Sequence, residues 1–183
     1  MKKLFPIALM VLGLVFVASG GYTIFRGFDA KDQVRDELIA QNIVTPEDAS
    51  IPNTQVKGPK TAESMANIIQ VHANESTGGR PYSEIGRFLA VGGGDTSNEA
   101  EALKDDQGRP VANPVRNVAF QAATLRTSLY TSIMAWNVGD LVIGLGLMIV
   151  VLGFSVGGLG VALGAMAIPA LARRAHVEPI AAH

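Results

Sequence analysis

Two long stretches without a charged residue, one near each end of the chain, constrain the fold more than any other feature. The first covers residues 4–25, which is 22 residues, and the second covers 141–172, which is 32 residues. As straight helices they would be about 33 and 48 Å long, enough to cross a hydrocarbon core of roughly 30 Å. They therefore predict two transmembrane helices.

Each stretch has a rival interpretation. The first has the basic start, the apolar run and the small residues Ala18 and Gly20 of a cleaved signal peptide. We favour an uncleaved anchor, because the apolar run continues past that point to Phe25. The second is longer than a bilayer core, so tilt would absorb the surplus, and Pro169 predicts a bend or an end. Divided into two helices it would leave about 16 residues each, too few for a crossing.

Basic pairs flank both stretches on their outer sides, at Lys2-Lys3 and at Arg173-Arg174. Cytoplasmic flanks carry the excess of Lys and Arg, so both ends are predicted on the cytoplasmic side of a bacterial membrane. The predicted organisation is a cytoplasmic N-terminus (1–3), a first span (4–25), an extracytoplasmic domain (26–139), a second span (140–169) and a cytoplasmic tail (170–183).

Composition narrows the function classes. The formal net charge is −1 and no basic run is longer than a pair, which argues against a nucleic-acid partner. Cysteine is absent, so an external domain must be held by packing without disulfides, and thiolate metal ligands and cysteine nucleophiles are excluded.

The region between the spans reads as helices separated by turns, with no convincing strand. The last helix has its start signals at Asn113-Pro114 and should run without a break into the second span, and the first span is expected to continue beyond Asp29 in the same way. The fold class predicted is an all-α membrane protein, with two transmembrane helices extended into an extracytoplasmic helical domain. The smaller helices are predicted from Asp29 to about Asn42, from Thr45-Pro46, from Thr61 to Gly78, over 82–91 and over 97–104.

Four segments carry a family resemblance: RGFDAKDQVRDELIAQNIVTPEDASIPN, IIQVHANESTGGRPYSEIGRFLA, GGGDTSNEAEALKD and NPVRNVAFQAATLRTSLYTSIMAWNVGDLVIGLGLMIVVLG. Together they resemble a family of actinobacterial two-span membrane proteins, over nearly the whole chain. Members are often labelled as the small subunit of an aromatic ring-opening dioxygenase. The resemblance implies a membrane protein of two spans, and it implies no established activity.

No catalytic, cofactor or metal site is predicted. A non-haem iron centre needs two histidines and a carboxylate, but His72 lies in the central region whereas His176 and His183 follow the second span. The spacing of His72 and Glu75 suggests half a metal site at most. The Gly92–Ser97 segment lacks the preceding strand and the lysine of a phosphate loop, so a turn with a helix cap is the better interpretation. A Gly-x-Ser-x-Gly nucleophile motif is absent.

Three features are candidate interaction sites. The first is a helix-packing face in the second span, because glycines four residues apart let a second helix approach closely; its partner is the first span, a second copy or another membrane protein. The second is a mixed polar and aromatic surface, and the third is a charged and aromatic membrane boundary. The residues are Gly153, Gly157, Gly160 and Gly164 for the face, Arg80, Tyr82, Glu84 and Arg87 for the surface, and Trp136 and Asp140 for the boundary.

Three functions follow in order of preference. The first is a non-catalytic accessory or assembly subunit of a bacterial envelope complex. The second is an extracytoplasmic module that senses or binds a ligand or lipid. An enzyme subunit, as the family label suggests, ranks third. The expected partners are membrane lipid and another membrane protein or a second copy of the chain.

Overall fold

The computed structural model describes residues 4–175, with side chains to Met166. The basic pairs used to predict the topology, and His176 and His183, lie outside the side chains described. The structure is mostly helical, at 69%. Its elements are helix α1 (Leu4–Ala40), helix α2 (Pro59–Thr77), a 3-10 helix (Tyr82–Glu84), strands β1 (Phe88–Leu89) and β2 (Asp95–Thr96), and helix α3 (Pro114–Ala175).

Two of these helices, α1 and α3, are long and apolar enough to cross a membrane by length and composition. Both continue without a break beyond the predicted spans, as the sequence led us to expect. Helix α3 also passes Pro169, so the proline does not end it. The chain divides into two compact units, which we call the helix pair (residues 4–32 and 137–175) and the central domain (residues 33–136).

Within the helix pair, α1 and α3 pack antiparallel through glycines that recur every seventh residue. Gly13 lies opposite Gly153, Gly20 opposite Gly146 and Gly27 opposite Gly139. A Cβ atom built on Gly20 would lie 2.7 Å from the Gly146 carbonyl oxygen, and one built on Gly146 would lie 2.8 Å from the Gly20 oxygen. Since only a missing side chain permits this approach, the heptad glycines fix the register of the pair.

The large apolar side chains of the helix pair point away from this contact. Leu14 is 69% exposed, Phe25 63% and Phe154 67%. Soluble proteins rarely leave so continuous an apolar surface open to water. The pair therefore has its smallest residues inside and its largest apolar residues outside.

The central domain has a small core in which α2 packs on the adjoining parts of α1 and α3. Its buried members are Leu38 from α1, Leu129 from α3, and Val56, Ala62 and Ala66. Helix α2 begins at Pro59, two residues before the predicted start, and the Thr61 hydroxyl accepts hydrogen bonds from the backbone N–H groups that precede it. It ends at Thr77, and the next residue, Gly78, adopts the left-handed conformation (φ +63°) in which helices commonly end at a glycine.

The helix predicted from Thr45-Pro46 is wrong. Thr45 is 1% exposed, and its hydroxyl donates to the Ile51 and Thr54 carbonyls instead of capping a helix. Its backbone N–H also donates to the Thr54 carbonyl, so the segment closes on itself as a loop. Threonine favours side-chain hydrogen bonds to nearby backbone groups, and such bonds stabilise turns as well as helix starts. Here the Thr45 hydroxyl stabilises a turn.

The helices predicted over 82–91 and 97–104 are also wrong, and the expectation of no strand fails with them. The first is a single 3-10 turn followed by β1, which pairs antiparallel with β2, Phe88 opposite Thr96. Isolated bridges join Ala90 to Ala102 and Lys104 to Pro110. The predicted Gly92–Gly94 turn connects the two strands, and no helix follows it. Pairing between short extended segments, rather than helix formation, provides the backbone hydrogen bonds of this region.

Candidate functional site

The four glycines predicted as a packing face all lie on the side of α3 that meets α1. Gly153 and Gly160 are the close contacts, with Cβ positions 2.7 Å from the Val17 nitrogen and 2.9 Å from the Met10 nitrogen. A Cβ atom on Gly157 would lie 3.7 Å from the Gly13 Cα atom, but one on Gly13 would lie only 2.6 Å from the Gly157 Cα and nitrogen atoms. Gly164 is looser, with its Cβ position 3.3 Å from the Met10 Cε atom. Within the structure described, α1 covers this face.

Asp140 and Trp136, the predicted boundary residues, belong to different units. The Asp140 carboxylate accepts a hydrogen bond from the Lys31 ammonium at 2.5 Å within the helix pair, and the Lys31 side chain is only 19% exposed. In the central domain, the Trp136 ring lies 3.8 Å from the position of a Cβ atom on Gly58. The sequence identified Asp140 but missed its partner, since the two residues are 109 positions apart.

An apolar cavity of about 760 Å³ lies in the central domain between α1, α2 and α3. Met65 and Ile69 of α2 and Leu125 and Leu129 of α3 are among the apolar side chains that line it. The polar lining is neutral apart from the Glu37 carboxylate, which accepts a hydrogen bond from the Gln41 amide. Sequence reasoning did not find this cavity, because it depends on how three helices meet. Its remaining lining residues are Gln33, Val34, Leu38, Ile43, Ser128, Thr131, Ser132 and Ala135.

The predicted polar and aromatic surface forms part of a groove along the N-terminal end of α3. Two hollows, of about 310 and 220 Å³, share Tyr82 as a wall. Arg87 lines the first and Arg80 the second, whereas Glu84 is exposed and lines neither. We call the two hollows together the arginine groove, because Arg80, Arg87, Arg116 and Arg126 line it.

Arg116 and Phe120, which the sequence did not single out, complete this groove. The Arg116 guanidinium donates to the Ile85 and Tyr82 carbonyls and lies 3.9 Å from the centre of the Tyr82 ring. The Tyr82 and Phe120 rings are 5.8 Å apart at a tilt of 49°. A cation over an aromatic face is attracted by the ring quadrupole. Arg116 and Phe120 are one helical turn apart on α3, which the sequence shows. Their partner Tyr82 is more than 30 residues away, so the sequence does not show that the three side chains meet.

Three aspartates that hold the central domain together have lowered pKa values. The His72 imidazole bonded at 2.7 Å lowers the pKa of Asp48, so His72 pairs with this loop carboxylate rather than with Glu75. The Gly86 N–H, followed by the Arg80 guanidinium, lowers the pKa of Asp95. The Arg109 backbone N–H, followed by its side chain, lowers the pKa of Asp105. These carboxylates fasten loops and do not form a reactive cluster.

We expect the central domain to lose stability in acid. A carboxyl whose folded pKa is depressed stabilises the fold above its unfolded value, near 3.8 here, and loses that contribution as the pH falls through the folded value. The melting temperature of the full chain in nonionic detergent should therefore fall as the pH drops below about 4. Asp95→Asn should melt lower at pH 7 and show a shallower fall, whereas Asp106→Asn, next to Asp105, should match the parent. An unchanged acid slope in Asp95→Asn contradicts the assignment.

Comparisons with protein-family models, with curated proteins and with solved structures give no match to this chain. The resemblance to actinobacterial two-span proteins therefore stays a prediction from the sequence. Among the side chains that the structure describes, no group of three His, Cys, Asp or Glu is placed to hold a metal ion. The site-like features of the described chain are thus the apolar cavity and the arginine groove.

Proposed function

We propose that this protein is a non-catalytic binding module anchored in the bacterial cytoplasmic membrane by its helix pair. Both termini lie in the cytoplasm and the central domain lies outside, where the apolar cavity holds an acyl chain of a membrane lipid. The cavity is the observation that carries the proposal. This develops the lipid-binding hypothesis that ranked second from the sequence.

The anchor is supported by the side chains on the two faces of the helix pair. Lipid tails solvate Leu, Val and Phe as well as a protein core does, so large residues gain nothing by facing inward. Close backbone packing between small residues is then the main force that joins two helices. Buried glycines with exposed Leu14 and Phe154 fit a lipid surrounding and fit water poorly.

The cavity has the size and chemistry of a small-molecule site. Such sites are about 300–1,000 Å³ and mostly apolar, with a few polar groups that fix orientation. Lining residues run from Gln33 to Leu38 on α1, with Gln41 just beyond its end, and from Leu125 to Ala135 on α3. At 1.5 Å per residue these runs are about 8 and 15 Å long, so the lining extends furthest along α3 and the cavity is elongated in that direction. An elongated apolar space suits a hydrocarbon chain.

A lipid chain is favoured over other apolar ligands for two reasons. The cavity lining contains no Lys, Arg or His, so it offers no counter-ion for a buried anionic group. Two of the three lining helices, α1 and α3, also supply the apolar anchor, so membrane lipid is the apolar molecule most available to the chain. The lipid headgroup is then left to the solvent rather than to the cavity.

The test is photo-crosslinking to phosphatidylcholine that carries a diazirine on its acyl chain, with the full protein in lipid nanodiscs. We expect adducts on central-domain peptides covering 33–41 and 125–135, as well as on both spans. Ser132→Phe places a ring into the cavity and should reduce the central-domain adducts at least tenfold while leaving the span adducts unchanged. Adducts confined to the spans in the parent protein contradict the proposal.

The matched control is Thr124→Phe, the same ring on an exposed position of the same helix that does not line the cavity. It should leave all adducts at the parent level. Equal loss in both variants would mean that an added ring on α3 disturbs the domain generally, and the cavity assignment would fail.

An accessory-subunit role is a second candidate function, and the arginine groove favours it. The glycine face does not, because α1 already covers it. A subunit role therefore needs a different surface for its partner. The groove is the surface whose chemistry is most specific.

A further inference from the structure

We propose that the arginine groove binds an acidic, extended segment of a partner protein. This inference goes beyond lipid binding and does not depend on it. Its basis is an excess of positive charge around an aromatic floor, on side chains that the fold already holds in place.

The charge in the groove is largely uncompensated. The two hollows are lined by four arginines and by no Asp or Glu. Arg80 is paired with Asp95 at 2.9 Å. Within the part of the chain that the structure describes, the other three arginines donate only to backbone carbonyls. Their acceptors are Ser97 for Arg87, Tyr82 and Ile85 for Arg116, and Ala66 for Arg126.

Those carbonyl bonds hold the guanidinium groups in position without neutralising them. Each guanidinium has five N–H donors, so most remain for a ligand after one or two bonds to the backbone. A fork held in advance loses less side-chain entropy when a carboxylate binds. The arrangement is therefore prepared for anions in a way that mobile surface lysines are not.

The floor of the groove is aromatic. Tyr82 lines both hollows and Phe120 lines the larger one, and the two side chains are 40% and 53% exposed. A polypeptide offers both kinds of group required, carboxylates for the arginines and an apolar side chain for the rings. A polyphosphate or an acidic polysaccharide offers the charge alone. The combination favours a peptide.

The length of the groove sets the spacing of the ligand groups. Arg116 and Arg126 are ten residues apart on α3, which is about 15 Å along the axis. An extended chain advances about 3.3 Å per residue, so carboxylates four or five residues apart would reach both. The predicted ligand carries such a pair with an apolar residue between its members.

The test is selection from a random dodecapeptide phage library on the full protein in nanodiscs of uncharged lipid. Enriched peptides should carry two acidic residues four or five positions apart around an apolar residue. A synthetic peptide of the enriched sequence should bind at least about tenfold more weakly to Arg87→Gln and to Arg126→Gln, since each loses charge-assisted bonds. Binding to the parent should also weaken as salt rises from 50 to 500 mM.

Arg109→Gln is the control, because Arg109 is an exposed arginine paired with Asp105 and lies outside the groove lining. It should bind the peptide as the parent does, and so should Ser132→Phe. Four results overturn the proposal. They are selected peptides that are not enriched in acidic residues, a peptide affinity that does not change with salt, an equal loss of affinity in Arg109→Gln, and a protein that binds inorganic polyphosphate but no peptide. The salt dependence needs no variant, so it decides the matter even where an arginine substitution disturbs folding.

Discussion

Gly146→Ile is expected to separate α1 from α3 within the helix pair. A Cβ atom at this position would lie 2.8 Å from the Gly20 carbonyl oxygen and 2.9 Å from the Ile24 nitrogen. Both are backbone atoms, so no rotamer change makes room and the helices must move apart. Overpacking of this kind costs about 1–3 kcal/mol or more. The midpoint of unfolding should shift accordingly when the mole fraction of SDS is raised in mixed micelles.

Gly144→Ile is the matched control for this prediction. The position is two residues away on the same helix, and a Cβ atom there meets nothing within 4 Å. The change in helix propensity is the same at both positions, so the difference between the variants measures the contact with α1. Gly20→Ile and Gly21→Ile form a second such pair on α1, in which only the first position is crowded. Equal midpoints within each pair would rule out the heptad interface.

The long helices could be predicted because their signals are local and strong. Uncharged runs of more than twenty residues leave few alternatives, and Asn113 caps α3 through the Val115 N–H as its pattern indicated. The heptad glycines were also present in the sequence. The prediction used glycines four residues apart, and Gly153 and Gly157 both contact Gly13, but along the rest of the pair the close contacts follow the seven-residue spacing from Gly139 to Gly160.

The short elements could not be predicted, because their residues suit more than one structure. Thr45-Pro46 satisfies a helix start and a turn equally well, and the outcome depends on Thr54, nine residues away. Tyr82 begins a 3-10 turn whose carbonyls are bound by Arg116, 34 residues later. Local propensity takes no account of contacts with residues distant in the sequence, so it cannot decide between a helix and a turn at these positions.

The candidate sites were predicted only in part for the same reason. Arg80, Tyr82 and Arg87 were visible as a dense polar and aromatic cluster. Arg116 and Arg126 lie on a helix whose sequence pattern gives no sign of a binding site. Only the fold brings them beside that cluster. The apolar cavity has no sequence motif, because its walls come from three helices.

We expect single cysteines introduced on the two sides of the membrane to differ completely in their labelling by a membrane-impermeant maleimide. The chain has no cysteine, so each introduced thiol is the sole target of a maleimide. Glu99→Cys marks the central domain at an exposed position, and Lys3→Cys and Glu178→Cys mark the two ends. The ends should stay unlabelled in intact cells, because a charged reagent does not cross the hydrocarbon core.

The most direct measurement is therefore labelling of these three variants with a membrane-impermeant maleimide, before and after lysis, on membranes that resist carbonate extraction. We expect Glu99→Cys to react in intact spheroplasts and Lys3→Cys and Glu178→Cys to react only after lysis. Labelling of either end from outside, protection of Glu99→Cys, or recovery of the protein in the carbonate supernatant would contradict the proposed membrane topology.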